Sequence, residues 1–333
     1  MTSPRPADVH PVLSSLDELL AGAAREPMES VGKSGATLER VQIDGTAYVL
    51  KHLDRENDWT MRASGYDGFA TVDLWRRGVL AALPDCIRQP IVAVAVDGTA
   101  ALLMEDVSAW LVPATDDPVS EEQHDRFLHH MAALHACFWE STLPIDFVTP
   151  AGRYLELSPA MAEAELARGS DDLVPQLVRR GWPLLAQVAP RAAKVVVPLA
   201  HDPSRLVGAL AGTPQTFVHG NWKLDNLGSD DAGRTVLLDW ELPGRSAATS
   251  DLAWYLAINC RRLPVTKEVA IERYRTALEA CGVDTEPWWD RQLALALLGA
   301  LVQFGWEKAL GGYDDELAWW EERAVDAAAR WLS

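Results

Sequence analysis

The sequence lacks several features that would place it in a familiar class of proteins. It has only four cysteines (Cys86, Cys137, Cys260 and Cys281), all far apart and none in a Cys-x-x-Cys pair. Such spacing argues against a disulfide scaffold or a cysteine zinc site, and it predicts buried thiols in a reduced, cytoplasmic protein. No uncharged apolar run approaches the roughly 18–20 residues of a membrane span, and the proline-bearing N-terminus has no signal-peptide core.

Positive charge is also scarce. The chain has 30 Lys and Arg against 48 Asp and Glu, which gives a formal net charge of −18 at pH 7. Binding to nucleic acid requires neutralisation of phosphates, so a strongly acidic protein is a poor candidate for this class of partner. The acidic surface is typical of solubilising charge, and it is also compatible with a cationic substrate. The 333 residues suffice for one large domain or two lobes, whereas the oligomeric state has no signature in the sequence.

The order of patterns along the chain predicts an α+β protein. Asp44-Gly45 and Asp97-Gly98 each separate two β-type runs, which is typical of hairpins. Short helices are predicted over 15–25 and roughly 69–83. After a stretch rich in Pro and Asp, Ser120 begins a helical pattern with a capping box. Further helices are predicted at 250–260, 266–281, 287–310 and 314–332. The chain is therefore divided into a small antiparallel-sheet lobe, residues 1–105, and a larger helical lobe, residues 106–333.

The stretch 218–240 carries the strongest chemical signal. His219 opens it, and turn residues at 229–233 lie between two short apolar segments. This arrangement predicts a hairpin that brings Asn226 beside Asp239. Amide and carboxylate oxygens are ligands that Mg²⁺ accepts, together with water and phosphate. Asn226 and Asp239 are therefore candidate metal ligands.

The same stretch has the spacing of the kinase catalytic loop, His-x-Asp-x-x-x-x-Asn, with a metal-binding Asp further on. Asn221 stands at the position of the catalytic Asp. An amide cannot accept the hydroxyl proton as a carboxylate can. Asn221 and His219 are the candidate catalytic residues, although a His-Gly pair beside a strand is more typical of a structural histidine. Asp225 is expected on the surface, and Asp251 is expected to cap the helix that follows it.

A second group of candidates lies in the first hundred residues. A Walker motif would need Gly at Pro27, so Gly32, Ser34 and Gly35 are interpreted as a turn that approaches phosphate. The alternative is an ordinary hairpin turn. Lys51 ends a strand and is a candidate for holding the α- and β-phosphates of a nucleotide.

Lys51 needs an acidic partner. Asp73 and Glu56 are the candidates, and Asp73 is preferred because it lies on the predicted helix. Met104 and Glu105 close the second hairpin just before the lobe boundary, where an adenine would bind against backbone groups. Both residues also have a plain interpretation as packing and solvated charge.

Aromatic and histidine-rich stretches add two weaker hypotheses. Most of the fourteen tryptophans are expected to pack between helices, although a few could line a pocket whose ring faces attract a substrate cation. His124, His129, His130 and His135 have no carboxylate or cysteine partner at ligand spacing. They are interpreted as surface and core histidines.

These motifs together resemble the aminoglycoside phosphotransferase family, which is akin to choline kinase and other small-molecule kinases. The resemblance covers about residues 28–310. It is carried by five segments: Gly32–Thr37, Lys51, Ala132–Ala136, His219–Asn226 and Leu238–Glu241.

The resemblance implies a bilobal, protein-kinase-like fold. It further implies that Lys51 and the glycine turn hold ATP or GTP, that Asn226 and Asp239 bind Mg²⁺, and that a phosphoryl group passes to a hydroxyl of a small molecule such as an aminoglycoside, sugar or amino alcohol. Two alternatives remain, a pseudokinase-like nucleotide-binding module and a protein or peptide kinase. Neither nucleic acid nor a membrane is an expected partner.

Overall fold

An antiparallel sheet forms the first part of the fold, as the two predicted hairpins require. The computed structural model describes residues 10–20, 22–28, 35–141 and 145–332. Helix α1 (Leu16–Leu20) precedes the sheet. The elements that follow α1 in this part of the chain are β1 (Ala24–Met28), β2 (Thr37–Ile43), β3 (Thr46–Leu53), α2 (Trp59–Ser64), α3 (Ala70–Arg76), β4 (Ile87–Arg88), β5 (Ile91–Asp97) and β6 (Thr99–Glu105). Five of these strands pair in the order β1-β2-β3-β6-β5.

Both hairpin predictions are confirmed, but the two helices are shorter than expected. Asp44 and Gly45 have φ values of 50° and 79°, as a tight turn between β2 and β3 needs. The helix predicted at 15–25 ends at Leu20, because the chain enters β1 at Ala24. The helix predicted at 69–83 ends at Arg76, because Gly78 takes a left-handed conformation with φ 71°.

Helices dominate the rest of the chain, and the predicted ones are confirmed. Ser120 caps the first, with its Oγ accepting a hydrogen bond from the Gln123 amide over 3.1 Å. The helices are α4 (Glu121–Cys137), α5 (Pro150–Leu155), α6 (Pro159–Ala167), α7 (Leu173–Val188), α8 (Pro190–His201), α9 (Ser204–Ala211), α10 (Thr249–Ile258), α11 (Lys267–Ala280), α12 (Trp289–Leu310) and α13 (Asp315–Trp331).

Short strands lie between the two parts. β7 (Thr216–Val218) pairs with β10 (Gly244–Ser246), and β8 (Leu227–Ser229) forms the expected hairpin with β9 (Thr235–Leu237). β4 then pairs in parallel with β9, so the first part of the chain adds a strand to this hairpin. The architecture is the bilobal α+β one that was expected. A division of the chain between residues 105 and 106 stays a prediction.

The long helix α12 is the centre of the helical part. By length and composition it could cross a membrane, contrary to the expectation from its sequence, but 78% of its apolar window is buried inside the protein. It packs against α7, α10 and α13. Its apolar character is therefore that of a core helix surrounded by other helices.

The close approach of α7 to α12 depends on one glycine. A Cβ at Gly181 would lie 2.2 Å from the backbone oxygen of Trp306, whereas a Cβ at Gly208 in α9 would meet no atom within 4 Å. We expect Gly181→Ala to lower the free energy of unfolding by about 1–3 kcal/mol or more through overpacking. Gly208→Ala should raise it by about 0.5–1 kcal/mol, because alanine favours the helix. Urea unfolding of both variants measures this, and equal effects would contradict it.

Candidate active site

The predicted catalytic loop, residues 219–226 (hereafter the Asn221 loop), begins where β7 ends. Gly220 turns the chain with φ 77°, and a Cβ there would lie 2.0 Å from the backbone oxygen of Leu242. Only glycine fits such a position. A 3₁₀ turn over Leu224–Asn226 then leads into the β8–β9 hairpin. The loop is thus fixed between the helical core and the hairpin.

Asp239 lies just beyond β9, in a left-handed conformation with φ 65° that is uncommon for a residue with a side chain. Its Oδ1 accepts a hydrogen bond from the Nζ of Lys51 over 2.6 Å. Lys51 comes from β3, 188 residues earlier in the chain. The structure therefore brings together the two most informative residues of the separate lobes.

Asn221 and Asn226 complete the cluster around Asp239. The Nδ2 of Asn221 donates to Asp239 Oδ2 over 2.7 Å, and the Nδ2 of Asn226 lies 3.5 Å from the same oxygen. Asn226 also donates to the backbone oxygen of Asn221 over 3.0 Å. Within the described part of the chain, no hydrogen bond reaches Asn221 Oδ1. This oxygen can therefore accept a hydrogen bond from a ligand.

The prediction that Asp73 pairs with Lys51 was wrong. Asp73 instead accepts from the hydroxyl of Tyr66 over 2.7 Å and pairs with Arg76. Lys51 pairs with Asp239 and lies 3.6 Å from Glu241 Oε1. Helix α3 does contact Glu241, but it does so through Thr71 and not through Asp73.

Thr71 donates to Glu241 Oε1 over 2.7 Å. The sequence contained Glu241 within the Leu238–Glu241 segment, but nothing in the sequence pattern links it to the helix. The acids beside Lys51 come instead from the segment after β9, and α3 reaches one of them through a neutral side chain.

Burial and mutual charge set the protonation of this cluster. Burial alone would lower the pKa of Lys51, but the charges of Asp239 and Glu241 outweigh it and raise that pKa above its ordinary value. Burial would raise the pKa of Asp239, but Lys51 and then Lys223 hold it well below its usual range. Burial raises the pKa of Glu241. Lys51 and Asp239 are thus a charged pair at neutral pH.

His219 is fully buried behind the Asn221 loop. Its ring contacts the backbone oxygen of Leu238 over 3.0 Å, and its Nδ1 accepts from the Asn221 amide over 3.2 Å. Burial lowers its pKa to about 4. With both ring nitrogens engaged by backbone groups, His219 holds the loop and hairpin together, which is the structural role that its sequence context favoured.

Asp251 is the anchor of the loop, and the N-cap interpretation of it was wrong. Its carboxylate accepts from the backbone amides of His219 and Gly220, each over 2.8 Å, and contacts His135 Nε2 over 3.2 Å. The side chain is 1% exposed. It lies within the first turn of α10, and its side chain points back at the loop instead of capping the helix.

The nucleotide-facing candidates are only partly described. Gly32 and Ser34 lie outside the described residues. Gly35 has φ 99°, and a Cβ there would lie 2.5 Å from the backbone oxygen of Asn57, so this position does require glycine. Met104 is partly buried at the end of β6. Glu105 pairs with Arg88 over 2.6 Å.

The remaining candidates occupy ordinary positions. Asp225 is exposed, as expected. His124 contacts the Tyr255 hydroxyl over 2.8 Å, and His130 contacts the Thr235 hydroxyl over 2.7 Å. His129 is exposed. These helix histidines thus face different partners.

No protein-family model matches the chain, and no curated protein matches its sequence. Solved structures do match it. Choline kinase LicA from Streptococcus pneumoniae is 14% identical, with a TM-score of 0.52 and coverage of 94% of this chain and 96% of that one. A thermostable mutant of aminoglycoside phosphotransferase APH(4)-Ia, in its apo form, is 13% identical, with a TM-score of 0.51 and coverage of 94% and 97%.

The chain has the fold of the choline kinases and aminoglycoside phosphotransferases. At these identities the likeness concerns the fold, and the chemistry must be argued from the residues of this chain. This kinase fold confirms the expected bilobal architecture over nearly the whole length.

The donor set of this kinase fold suits Mg²⁺, which the resemblance implied. Asp239 is ionised, and the side chain of Asn226, which would offer its Oδ1 to an ion, lies beside it with its Nδ2 3.5 Å from Asp239 Oδ2. Among the described residues, no group of three His, Cys, Asp or Glu could hold a metal. An ion here would take few protein ligands and complete its shell with water and phosphate oxygens, as Mg²⁺ prefers.

The buried His219 makes the stability of this kinase fold depend on pH. Its pKa is about 4 in the folded protein against an ordinary 6.5, so between these values the unfolded state binds the extra proton. The free energy of unfolding should therefore fall as pH decreases from 7 to 5, by up to about 1.4 kcal/mol per pH unit from this group. We expect His219→Asn to reduce that slope in urea unfolding. The exposed His129→Asn is the control, and an unchanged slope in His219→Asn would contradict the assignment.

Proposed function

We propose that this protein is an ATP/Mg²⁺-dependent phosphotransferase that transfers the γ-phosphoryl group to a hydroxyl of a small molecule. The single observation that carries the proposal is the cluster in which Lys51, Asn221 and Asn226 surround Asp239. Each of these side chains has a role in phosphoryl transfer, which depends mainly on positioning and charge stabilisation.

Two solved structures with this fold support the proposal that the donor is a nucleotide. Choline kinase LicA, with a TM-score of 0.53, is described in complex with AMP. An APH(4)-Ia mutant, with a TM-score of 0.50, is described in a ternary complex with AMP-PNP and hygromycin B. By analogy, the donor would bind against Lys51, and the acceptor would approach from the side of the Asn221 loop.

Each residue of the cluster has a distinct part in the proposed reaction. Lys51 neutralises charge on the donor phosphates. Asp239 and Asn226 would hold Mg²⁺, which supplies further neutralisation of the phosphate oxygens when it is bound. Asn221 Oδ1 accepts a hydrogen bond from the acceptor hydroxyl and orients it toward the γ-phosphorus.

The proton of the acceptor cannot end on Asn221. In the transfer, the acceptor oxygen forms a bond to the γ-phosphorus, and the bond to the bridging oxygen of ADP breaks. The hydroxyl proton is transferred to a phosphate oxygen or to water. The loss of a general base costs typically about 10²–10⁴-fold in rate, so a slow but real kinase is expected.

Asn221 itself favours a second candidate function, a module that binds nucleotide without transferring phosphate. Its amide donates to Asp239, so the loop supplies a hydrogen-bond donor where a base is needed. Asn221→Asp separates the two functions. Transfer from γ-labelled ATP by the wild type supports the phosphotransferase, whereas transfer that appears only in Asn221→Asp supports the module.

Lys51 is expected to contribute to binding of the phosphate donor. We expect Lys51→Met to weaken binding of a fluorescent ATP analogue about tenfold or more, because a charge-assisted contact contributes roughly 1.5–3 kcal/mol. Lys194 lies exposed on α8, so Lys194→Met is the matched control and should bind as the wild type does. Equal binding by Lys51→Met and the wild type would refute the assigned role.

Transfer to the acceptor is expected to depend on Asp239 and Asn221. With labelled ATP, Mg²⁺ and a panel of aminoglycosides, sugars, amino alcohols and hydroxy acids, we expect transfer that Asp239→Ala abolishes. Asn221→Ala should lower kcat about tenfold or more while changing the KM for ATP little, because the amide orients the acceptor. The exposed neighbour Asp225→Ala serves as control. Intact nucleotide binding without any labelled product would count against the proposal.

A further inference from the structure

The short helix α2, which follows the lysine-bearing strand β3, packs on two helices of the helical lobe. Arg62 of α2 forms a two-armed ion pair with Glu165 of α6, in which its Nε donates to Oε1 over 3.0 Å and its Nη2 donates to Oε2. Their side chains are 15% and 4% exposed. Two residues further along α2, the backbone oxygen of Ser64 lies 2.4 Å from the place of a Cβ at Gly152 of α5.

The third nitrogen of Arg62 holds the segment that leads from β3 into α2. Its Nη1 donates to the backbone oxygen of Glu56 and lies 3.4 Å from that of Arg55. One guanidinium therefore contacts an acid of the helical lobe and the backbone of the sheet lobe. Because its donors point in fixed directions, an arginine holds two such partners at a defined separation, which a flexible lysine ammonium does not.

The segment 55–58 lies at the proposed donor site. A Cβ at Gly35 would lie 2.5 Å from the backbone oxygen of Asn57, so the described end of the glycine turn packs directly on this segment. The carboxylate of Asp58, which caps α2, is one of the charges that raise the pKa of Lys51. The segment is therefore next to both groups that are assigned to the donor phosphates.

The geometry that this ion pair fixes is more informative than its stability. Desolvation offsets much of the attraction between two buried charges, so such a pair is a poor source of net stability. Its two-armed hydrogen bonding does set the distance between α6 and the backbone at 55–56. Arg62 and Glu165 are 103 residues apart in the chain, and no pattern in the sequence pairs them. They add a further link between the lobes to the one formed by Lys51 and Asp239.

We propose that Arg62 and Glu165 are positioning residues for the phosphate donor. The pair holds the segment 55–58 in place relative to the helical lobe, and this segment supports Gly35 and Lys51 where the phosphates bind. The inference rests on the function proposed above. Neither Arg62 nor Glu165 is assigned a contact with the nucleotide. Their effect acts through the groups that meet its phosphates, so it should be absent for a ligand that has no phosphate.

A comparison of two ligands tests the proposal without requiring turnover. The double variant Arg62→Gln/Glu165→Gln removes both charges together and leaves neither without a partner. We expect it to bind a fluorescent ATP analogue with Mg²⁺ about three- to tenfold more weakly than the wild type, which is the range for residues without ligand contact. Its affinity for adenosine, measured by displacement of the analogue, should be unchanged. Wild-type affinity for the analogue, or an equal loss for both ligands, overturns the proposal.

A conservative variant tests the two contacts of Arg62 separately. Arg62→Lys keeps a charge beside Glu165 but loses the fork that also reaches Glu56, so we expect it to weaken binding of the ATP analogue while lowering Tm less than the double variant does. The matched control Arg273→Gln/Asp125→Asn removes an ion pair between α11 and α4. It should bind both ligands as the wild type does. Wild-type affinity in Arg62→Lys, or the same loss of affinity in the control, overturns the proposal.

Nucleotide binding by the wild type separates this inference from the proposed function. Thermal unfolding first establishes that each variant is folded at the assay temperature. If the wild type binds no ATP analogue, the phosphotransferase proposal itself fails. If the wild type binds the analogue and both Arg62 variants bind it equally well, the kinase stands and the positioning role is wrong.

Discussion

The ion pair between Lys51 and Asp239 is the contact on which the candidate site depends. It joins β3 to the end of the β8–β9 hairpin across 188 residues of sequence, at 2.6 Å and largely out of solvent. A buried charge without a partner would be strongly destabilising, so each residue fixes the position of the other. Because Asn221 and Asn226 both reach the same carboxylate, the pair also aligns the Asn221 loop with the sheet.

A buried polar network behind the loop holds this arrangement in place. Asp251 binds two consecutive loop amides, His219 bridges the loop to Leu238, and Arg153 binds the oxygen of Gly220. Each member satisfies a backbone group that would otherwise be buried without a partner. The helical lobe therefore fixes the geometry of the Asn221 loop, while Lys51 from the sheet supplies the positive charge beside Asp239.

The amide at Asn221 changes the chemistry more than the shape. A carboxylate in its place would stand 2.7 Å from Asp239 Oδ2 and add a negative charge to a site that must also receive phosphate. The amide avoids this repulsion and instead donates to Asp239. Positioning of the acceptor then depends on Asn221 Oδ1 and on the residues that bind the rest of the acceptor. Arg153 fixes the loop from the other side by donating to the backbone oxygen of Gly220.

Local patterns in the sequence determined the hairpins at Asp44 and Asp97, the helices of the second half and the Asn226–Asp239 pairing, because turn chemistry and helical periodicity act over a few residues. They also indicated the resemblance from which the fold was expected. Only the tertiary structure decided the acid beside Lys51, the anchoring role of Asp251 and the place of Arg153 over Trp254. These three contacts join elements that are distant in the chain, and no spacing in the sequence encodes which buried charge will meet which partner.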